Sequence, residues 1–237
     1  MKVSIILPTY CEKGNIGDLL AEIERAVDSQ PWYFEVIVVD DQSPDGTAEI
    51  ARSFRPKGRI TSEVIVRNDA RGLATAILHG LRQATGDVLV TMDTDFNHDP
   101  AMIPQMVDLL RYYDVVIGSR FVMGGGMQDR RRYLYSRIYN LFVRALLRIP
   151  VQDNLSGFFA IRREHLFRLD LDRIFRGYGE YFMRLLYACF LRGYQMLEVP
   201  VFYILRRHGT SKSQFSTMLF DYTRCVLSLW RSPDAGK

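Results

Sequence analysis

Residues 88–100 read VLVTMDTDFNHDP. Val88–Thr91 is short, β-branched and uncharged, the composition of a strand buried on both faces. It hands Asp93 and Asp95 to its carboxyl end with one residue between them. Two carboxylates so spaced can address one hard divalent cation at bond lengths of about 2.1 Å, leaving positions for water and phosphate oxygens. Asn97 offers a third, neutral oxygen, and His98 reads as a hydrogen-bonding residue. Runs like Val88–Thr91 recur at Val3–Leu7, Val36–Val39, Val64–Val66 and Val115–Ile117. Helical patterns fill the gaps: Ile16, Leu19, Leu20, Ile23 and Val27 keep a 3.6-residue period, followed by Gly46–Phe54, Gly72–Ala84 and Pro100–Leu110. Strand and helix alternating in this way predict an α/β fold, a mostly parallel, Rossmann-like central sheet with flanking helices. Ligands of such sheets bind beyond the carboxyl ends of the strands. The segments to inspect are therefore residues 8–14, 40–46, 68–72, 93–100 and 118–120.

The second strand ends in VVDDQSPDGT, residues 38–47. Asp40 and Asp41 can accept hydrogen bonds from a nucleobase or a ribose hydroxyl, or order the turn, while Asp45 reads as the cap of the next helix. The first strand is followed by PTYCEKGNIG, which lacks the Gly-x-Gly-x-x-Gly of a dinucleotide dehydrogenase. The chain also carries no phosphate-loop Gly-Lys-Ser/Thr and no Gly-x-Ser-x-Gly nucleophile elbow. A carboxylate-held metal acting on a nucleoside diphosphate remains.

The 237 residues include 48% hydrophobic and 12% aromatic residues, enough for a sizeable core and against disorder. The three cysteines, Cys11, Cys189 and Cys225, form no CxxC pair, which argues against a disulfide scaffold or a thiolate zinc site. The net charge of +4 conceals a division. Residues 1–119 hold 11 Lys+Arg and 18 Asp+Glu, and residues 120–237 hold 20 and 9. An acidic front half suits a cation, and a basic back half suits anions.

The back half supplies candidate anion ligands: Arg120 in GSRF, the Gly124–Gly126 loop, Arg130–Arg132, and Arg206, Arg207 and Lys212 in RRHGTSKS. Arginine grips phosphate through paired hydrogen bonds. Leu134–Ile149, Tyr181–Leu191 and Gln214–Trp230 read as helices, and Phe158–Ile161 and Met196–Ile204 as strands. On the first of these helices an apolar stripe of Leu134, Ile138, Leu141, Phe142 and Ala145 runs beside Arg137, Asn140, Arg144 and Arg148. On the last, Phe215, Leu219, Tyr222, Val226 and Leu229 oppose Thr217, Asp221, Arg224 and Ser228. Both are expected to be interfacial, lying in a lipid headgroup plane.

PTY-x-E, DD-x-SPDGT, RGLATAILHG, ATGDVLVTMDTDFNHDP, GSRF-x-x-GGG, SGFFAIRRE and EVPVFYILRRHGTSKS follow one another from residue 8 to about residue 213. Together they resemble the dolichol-phosphate (polyprenyl-phosphate) mannose synthases, inverting glycosyltransferases of the GT-A fold. The resemblance implies magnesium- or manganese-dependent transfer of mannose from GDP-mannose to a polyprenyl (dolichyl) phosphate. Pro8, Tyr10, Glu12 and Asp41 would form the nucleoside pocket. Val39, Asp93, Thr94, Asp95, Arg206 and Lys212 would complete the donor site. Asp93, Asp95 and Asn97 would hold the metal, and Arg120, Arg132 and Ser136 the acceptor phosphate. Asp95, Arg120, Arg132 and Arg206 would carry catalysis. Relatives often have Gln or Ser where Asn97 stands and Ala at Thr94. A rival donor is UDP-glucose, and a non-catalytic nucleotide-sugar scaffold is the third reading.

The expected organisation is a GT-A domain over residues 1–213, its nucleotide-sugar and metal half at 1–119 and its acceptor half at 120–213, with an amphipathic helix over 214–237. MKVSIILPTY is too short an apolar run for a signal peptide, and no stretch reaches the ~18–20 apolar residues of a membrane span. The expectation is peripheral attachment to the cytoplasmic side of a membrane, with a separate membrane-anchoring subunit as an additional partner and no nucleic acid.

Overall fold

The computed structural model describes residues 1–68, 71–204 and 215–231, the side chains of 215–217 excepted. The first half alternates β1 (Lys2–Thr9), α1 (Ile16–Val27), β2 (Tyr33–Asp40), α2 (Thr47–Ser53), β3 (Ile60–Val66), α3 (Leu73–Gln83) and β4 (Val88–Thr91). A short 3-10 turn, Pro100–Met102, leads into α4 (Ile103–Leu109), followed by β5 (Val115–Ser119). The second half contains β6 (Gly126–Met127), α5 (Arg130–Leu147), β7 (Phe159–Arg162), α6 (Arg163–Leu166), α7 (Leu171–Ile174), α8 (Glu180–Leu191), β8 (Met196–Pro200), β9 (Phe202–Tyr203) and α9 (Phe215–Arg231).

Seven strands form one sheet in the order β3-β2-β1-β4-β7-β5-β8, and β6 pairs with β9 in a separate ribbon. The sheet is parallel except for β7, which runs antiparallel to both neighbours, Phe159 standing opposite Thr91 on β4 and Ile117 on β5. A strand composition predicts β7 but not its direction. The reversal has a consequence for the site: Ser156–Phe158, just before β7, arrive at the same end of the sheet as Asp93 and Asp95.

Alternation along β1 divides the core between two faces. Val3, Ile5 and Leu7 pack with Ile16, Leu19, Leu20 and Ile23 of α1 and with α4, while Ile6 faces α3, α8 and α9. Gly80 lets α3 settle onto the sheet, because a Cβ there would stand 2.7 Å from Ile6 Cγ2 and 2.9 Å from Val39 Cγ2.

The two amphipathic helices behave differently. On α9, Tyr222, Val226 and Leu229 turn inward and join the core; Leu219, Phe220 and Trp230 face out. On α5 the stripe of Leu134, Ile138, Leu141 and Phe142 faces outward, each at least 40% exposed, while Asn140 is buried, donating to the Ser136 carbonyl and accepting from the Asn154 N–H at 2.6 Å. The helix also starts earlier than the apolar period suggests, because the Asp129 carboxylate accepts from the N–H groups of Arg131 and Arg132, both at 3.0 Å. Among the described residues no helix is long and apolar enough to cross a membrane.

Candidate active site

The carboxyl ends of β1, β2 and β4 border a cleft of about 280 Å³, lined by Pro8, Tyr10, Glu12, Asp41, Arg71 and Gly72 on one side and by Asp93, Thr94, Asp95 and Tyr178 on the other. Cys11, Gln42 and Phe96, just past those three strands, hold positive φ angles of 54°, 53° and 63°. Left-handed non-glycine residues cost about 1–3 kcal/mol each and gather where backbone must be aimed at a ligand.

The two adjacent acids of β2 have separate jobs. Asp40 is fully buried and closes the turn, accepting from Thr9 Oγ1 at 3.0 Å, Ser43 N at 2.8 Å and Ser43 Oγ at 2.6 Å. Asp41 lines the cleft and is oriented by Arg67 Nε at 2.7 Å and Gly72 N at 2.8 Å. Asp45, expected to cap α2, instead precedes the N-cap, which is Gly46 in the left-handed region, and closes the turn before the helix by accepting from Thr47 N, Thr47 Oγ1 and Lys13 N. Burial pushes its carboxyl up, but these bonds outweigh burial and hold it below its ordinary value. Arg71 stacks on the Tyr10 ring at 4.4 Å. The side chain of Val39 packs against the Gly80 position in the core, so only its main chain can border a ligand.

In the Asp93–Pro100 loop, Asp95 is 4% exposed and accepts from Asn97 N at 3.2 Å and Asn97 Nδ2 at 2.9 Å. The Asp93 side chain is 39% exposed. His98 is fully buried and engaged at both ring nitrogens, Nδ1 accepting from Asp93 N at 2.7 Å and Nε2 meeting Tyr203 Oη at 2.7 Å and the Ser156 carbonyl at 3.1 Å. It is a hydrogen-bonding residue, as its loop position suggests. Among the described residues no cluster of three or more His, Cys, Asp or Glu side chains could hold a metal unaided. Two aspartates and a neutral amide fit a small hard ion that keeps water and diphosphate oxygens in its shell.

The structure shows a closed arrangement at Arg120, which was expected to meet an acceptor phosphate. Rather than standing open, it is 4% exposed, with Nε and Nη2 each 2.7 Å from the Asp153 carboxylate and its main-chain N–H 3.0 Å from the same group. Asp153, a residue that sequence reasoning missed, is fully buried and makes Arg120 part of the framework. Burial pulls the Arg120 pKa down, but Asp153 more than reverses this. The guanidinium also covers the Tyr203 ring at 4.7 Å. Glu198 accepts from Gln152 N and Asp153 N and so braces the same loop, its carboxyl raised by burial. Arg132 is exposed at the amino end of α5 and Ser136 half-buried one turn on. Arg206, Arg207 and Lys212 lie outside the described residues. Arg67, Arg71 and Tyr178 were also missed; the first two flank the loop after β3, a place the strand-end rule marks without naming its residues.

A carboxylate-lined cleft at the strand ends of a mostly parallel sheet is the arrangement of a GT-A glycosyltransferase, and the comparisons agree. The model of glycosyl transferase family 2 matches residues 4–169. The chain belongs to this family. It is 34% identical to a dolichol-phosphate mannosyltransferase of Pyrococcus furiosus over 98% of its own length and 64% of that protein. It is 34% identical to an undecaprenyl-phosphate mannosyltransferase of Micrococcus luteus over 90% and 87% of the two chains. The chain thus spans a little under two thirds of the Pyrococcus protein. Among solved structures, glucosyl-3-phosphoglycerate synthase from Mycobacterium tuberculosis, in complex with Mn2+ and UDP, superposes with a TM-score of 0.68 at 24% identity over 99% of this chain and 80% of the other.

Proposed function

We propose that this chain transfers mannose from GDP-mannose to a polyprenyl (dolichyl) phosphate with inversion at the anomeric carbon, giving a β-linked polyprenyl phosphate mannose. The observation that carries the reading is the single cleft in which Asp93 and Asp95 face Tyr10, Glu12 and Asp41. The names of the relatives supply the sugar and the lipid. Tyr10, Glu12 and the Arg67-oriented Asp41 would hold the nucleoside. Asp93, Asp95 and Asn97 would hold Mg2+ or Mn2+, which when bound neutralises charge developing on the departing diphosphate.

A polyprenyl phosphate is already an anionic nucleophile, so no residue needs to deprotonate it. The protein's task is to bring two anions together. Arg130, Arg131 and Arg132 occupy the first turn of an 18-residue helix, where the helix dipole disfavours cations. An acceptor phosphate beside them would relieve that repulsion. In this reading Arg132 and Ser136 meet the acceptor, Arg206 and Lys212 serve the donor side, and Arg120, neutralised by Asp153, holds the framework around them. Catalysis would rest on Asp95, Arg132 and Arg206.

The outward apolar stripe of α5, with exposed Arg137 and Arg148 beside it, supports attachment to a lipid surface from one side. Ile138→Glu should weaken co-sedimentation with anionic vesicles while changing stability by no more than about 0.5 kcal/mol, since Ile138 is 55% exposed. Wild-type protein that stays in the supernatant would remove intrinsic attachment from the reading. The activity itself is tested by product analysis with radiolabelled GDP-mannose and a short polyprenyl phosphate, beside UDP-glucose. Transfer from UDP-glucose alone would overturn the mannose assignment, and no transfer from either donor would favour a scaffold.

A further inference from the structure

We propose that His98 is a positioning residue for Asp93, held in register by a clamp of Tyr203 and Ser156 from the opposite half of the chain. The inference rests on the reading that Asp93 and Asp95 hold a divalent cation, and adds how the first of them is aimed.

The geometry leaves the imidazole little freedom. Nδ1 accepts the Asp93 N–H at 2.7 Å, so the hydrogen of the ring sits on Nε2. That hydrogen points to Tyr203 Oη at 2.7 Å and the Ser156 carbonyl at 3.1 Å, and the Tyr203 hydroxyl donates to the same carbonyl at 3.2 Å. The ring is fully buried and stacks on Phe158 at 4.8 Å with planes 13° apart. Rotation about either side-chain bond would break these hydrogen bonds together.

Each part of the clamp comes from a segment fixed elsewhere. Ser156 precedes the antiparallel strand β7, so the strand reversal brings it to the loop after β4. Tyr203 lies on β9, which pairs with β6, the strand that begins at the last of the three glycines, and its ring lies under the Arg120 guanidinium at 4.7 Å. Arg120 is fixed in turn by Asp153. The main chain at Asp93 is thereby referenced to the half of the protein assigned to the acceptor. Partners that orient a metal ligand typically change metal affinity about 10- to 100-fold when removed.

Two replacements separate the two ends of the ring. His98→Asn can keep an acceptor near the position of Nδ1 and loses the reach to Tyr203. His98→Gln reaches toward Tyr203 and loses the acceptor for Asp93. The readouts are Mn2+ affinity with GDP present, from the electron paramagnetic resonance of the free ion, and hydrogen exchange of the Asp93 amide without metal. His98→Gln should weaken Mn2+ binding about tenfold and speed that exchange, with His98→Asn, which keeps the acceptor but loses the clamp, between His98→Gln and wild type in both. Equal Mn2+ affinity in all three proteins, or equal loss in both variants, would overturn the assignment. If wild type itself binds no Mn2+, the metal reading fails, and the exchange of the Asp93 amide alone decides the role of His98: faster in His98→Gln sustains it, unchanged overturns it. Should His98→Gln not fold, Tyr203→Phe decides. It removes one oxygen and leaves the ring under Arg120, and unchanged Mn2+ affinity and Asp93 exchange would count against the clamp.

Discussion

Strands β4 and β5 flank the same antiparallel neighbour, and each delivers charge just past its end, yet the charges meet opposite fates. After β4, the Asp93 side chain is 39% exposed and faces the cleft. After β5, Arg120 is 4% exposed and gripped at two guanidinium nitrogens by a carboxylate that is itself fully buried. The difference lies in what the rest of the chain brings near. The 150–156 loop carries Asp153 to Arg120. Asp93 is instead fixed through its main chain by His98. Position at a strand end therefore marks where chemistry can occur, and burial against a charged partner, as at Arg120, turns a strand-end side chain into framework.

The largest expected effect tests the closed side. Arg120→Ala leaves Asp153 buried and unpaired, which should cost about 3–5 kcal/mol and lower Tm by about 10 °C at this chain length. Replacing both partners by apolar residues should recover much of that loss. A single variant with unchanged Tm would mean that Arg120 is not framework, and the contrast with β4 would break. The open side should show the converse. Asp93→Asn should cut mannose transfer about 10²- to 10³-fold, the scale for removing one group that stabilises transition-state charge, with Tm nearly unchanged. A variant that loses Tm and activity together would place Asp93 in the framework too.

This contrast also separates what was legible in the sequence from what was not. The β-branched runs and the 3.6-residue periods gave β1 to β5 and α1 to α4 because each is a local pattern with a buried face. The DTD and DD pairs stood out because acids rarely follow buried strands without cause. Asp153 could not be found this way: it sits in a loop, and its meaning comes from Arg120, 33 residues earlier. Tyr203 and His98 are 105 residues apart. The outward stripe on α5 and the inward one on α9 show the same limit, since a period says which residues share a face and not what that face meets.

Glu35 sharpens the comparison from the far end of the sheet, where β1 and β2 begin. It stands between the open and closed extremes, paired with Lys2 and accepting from Ser4 Oγ, Thr85 N and Thr85 Oγ1, yet bordering solvent. Burial pushes its carboxyl up, but the bonds from Lys2, Ser4 and Thr85 outweigh burial and hold it at about 2, against 4.5 for a free glutamate. A depressed carboxylate stabilises the fold above the unfolded pKa, and that contribution fades as pH falls from about 4.5 toward about 2. With screening by solvent, its size should be about 1 kcal/mol. Urea unfolding of wild type and Glu35→Gln should therefore show a gap of about that size at pH 7, narrowing steadily through the acid range. A gap that persists below pH 2 would mean that the ion pair and hydrogen bonds at Glu35 are not what stabilises this end, and that a partly buried carboxylate in this sheet behaves like the open Asp93 rather than the closed Asp153.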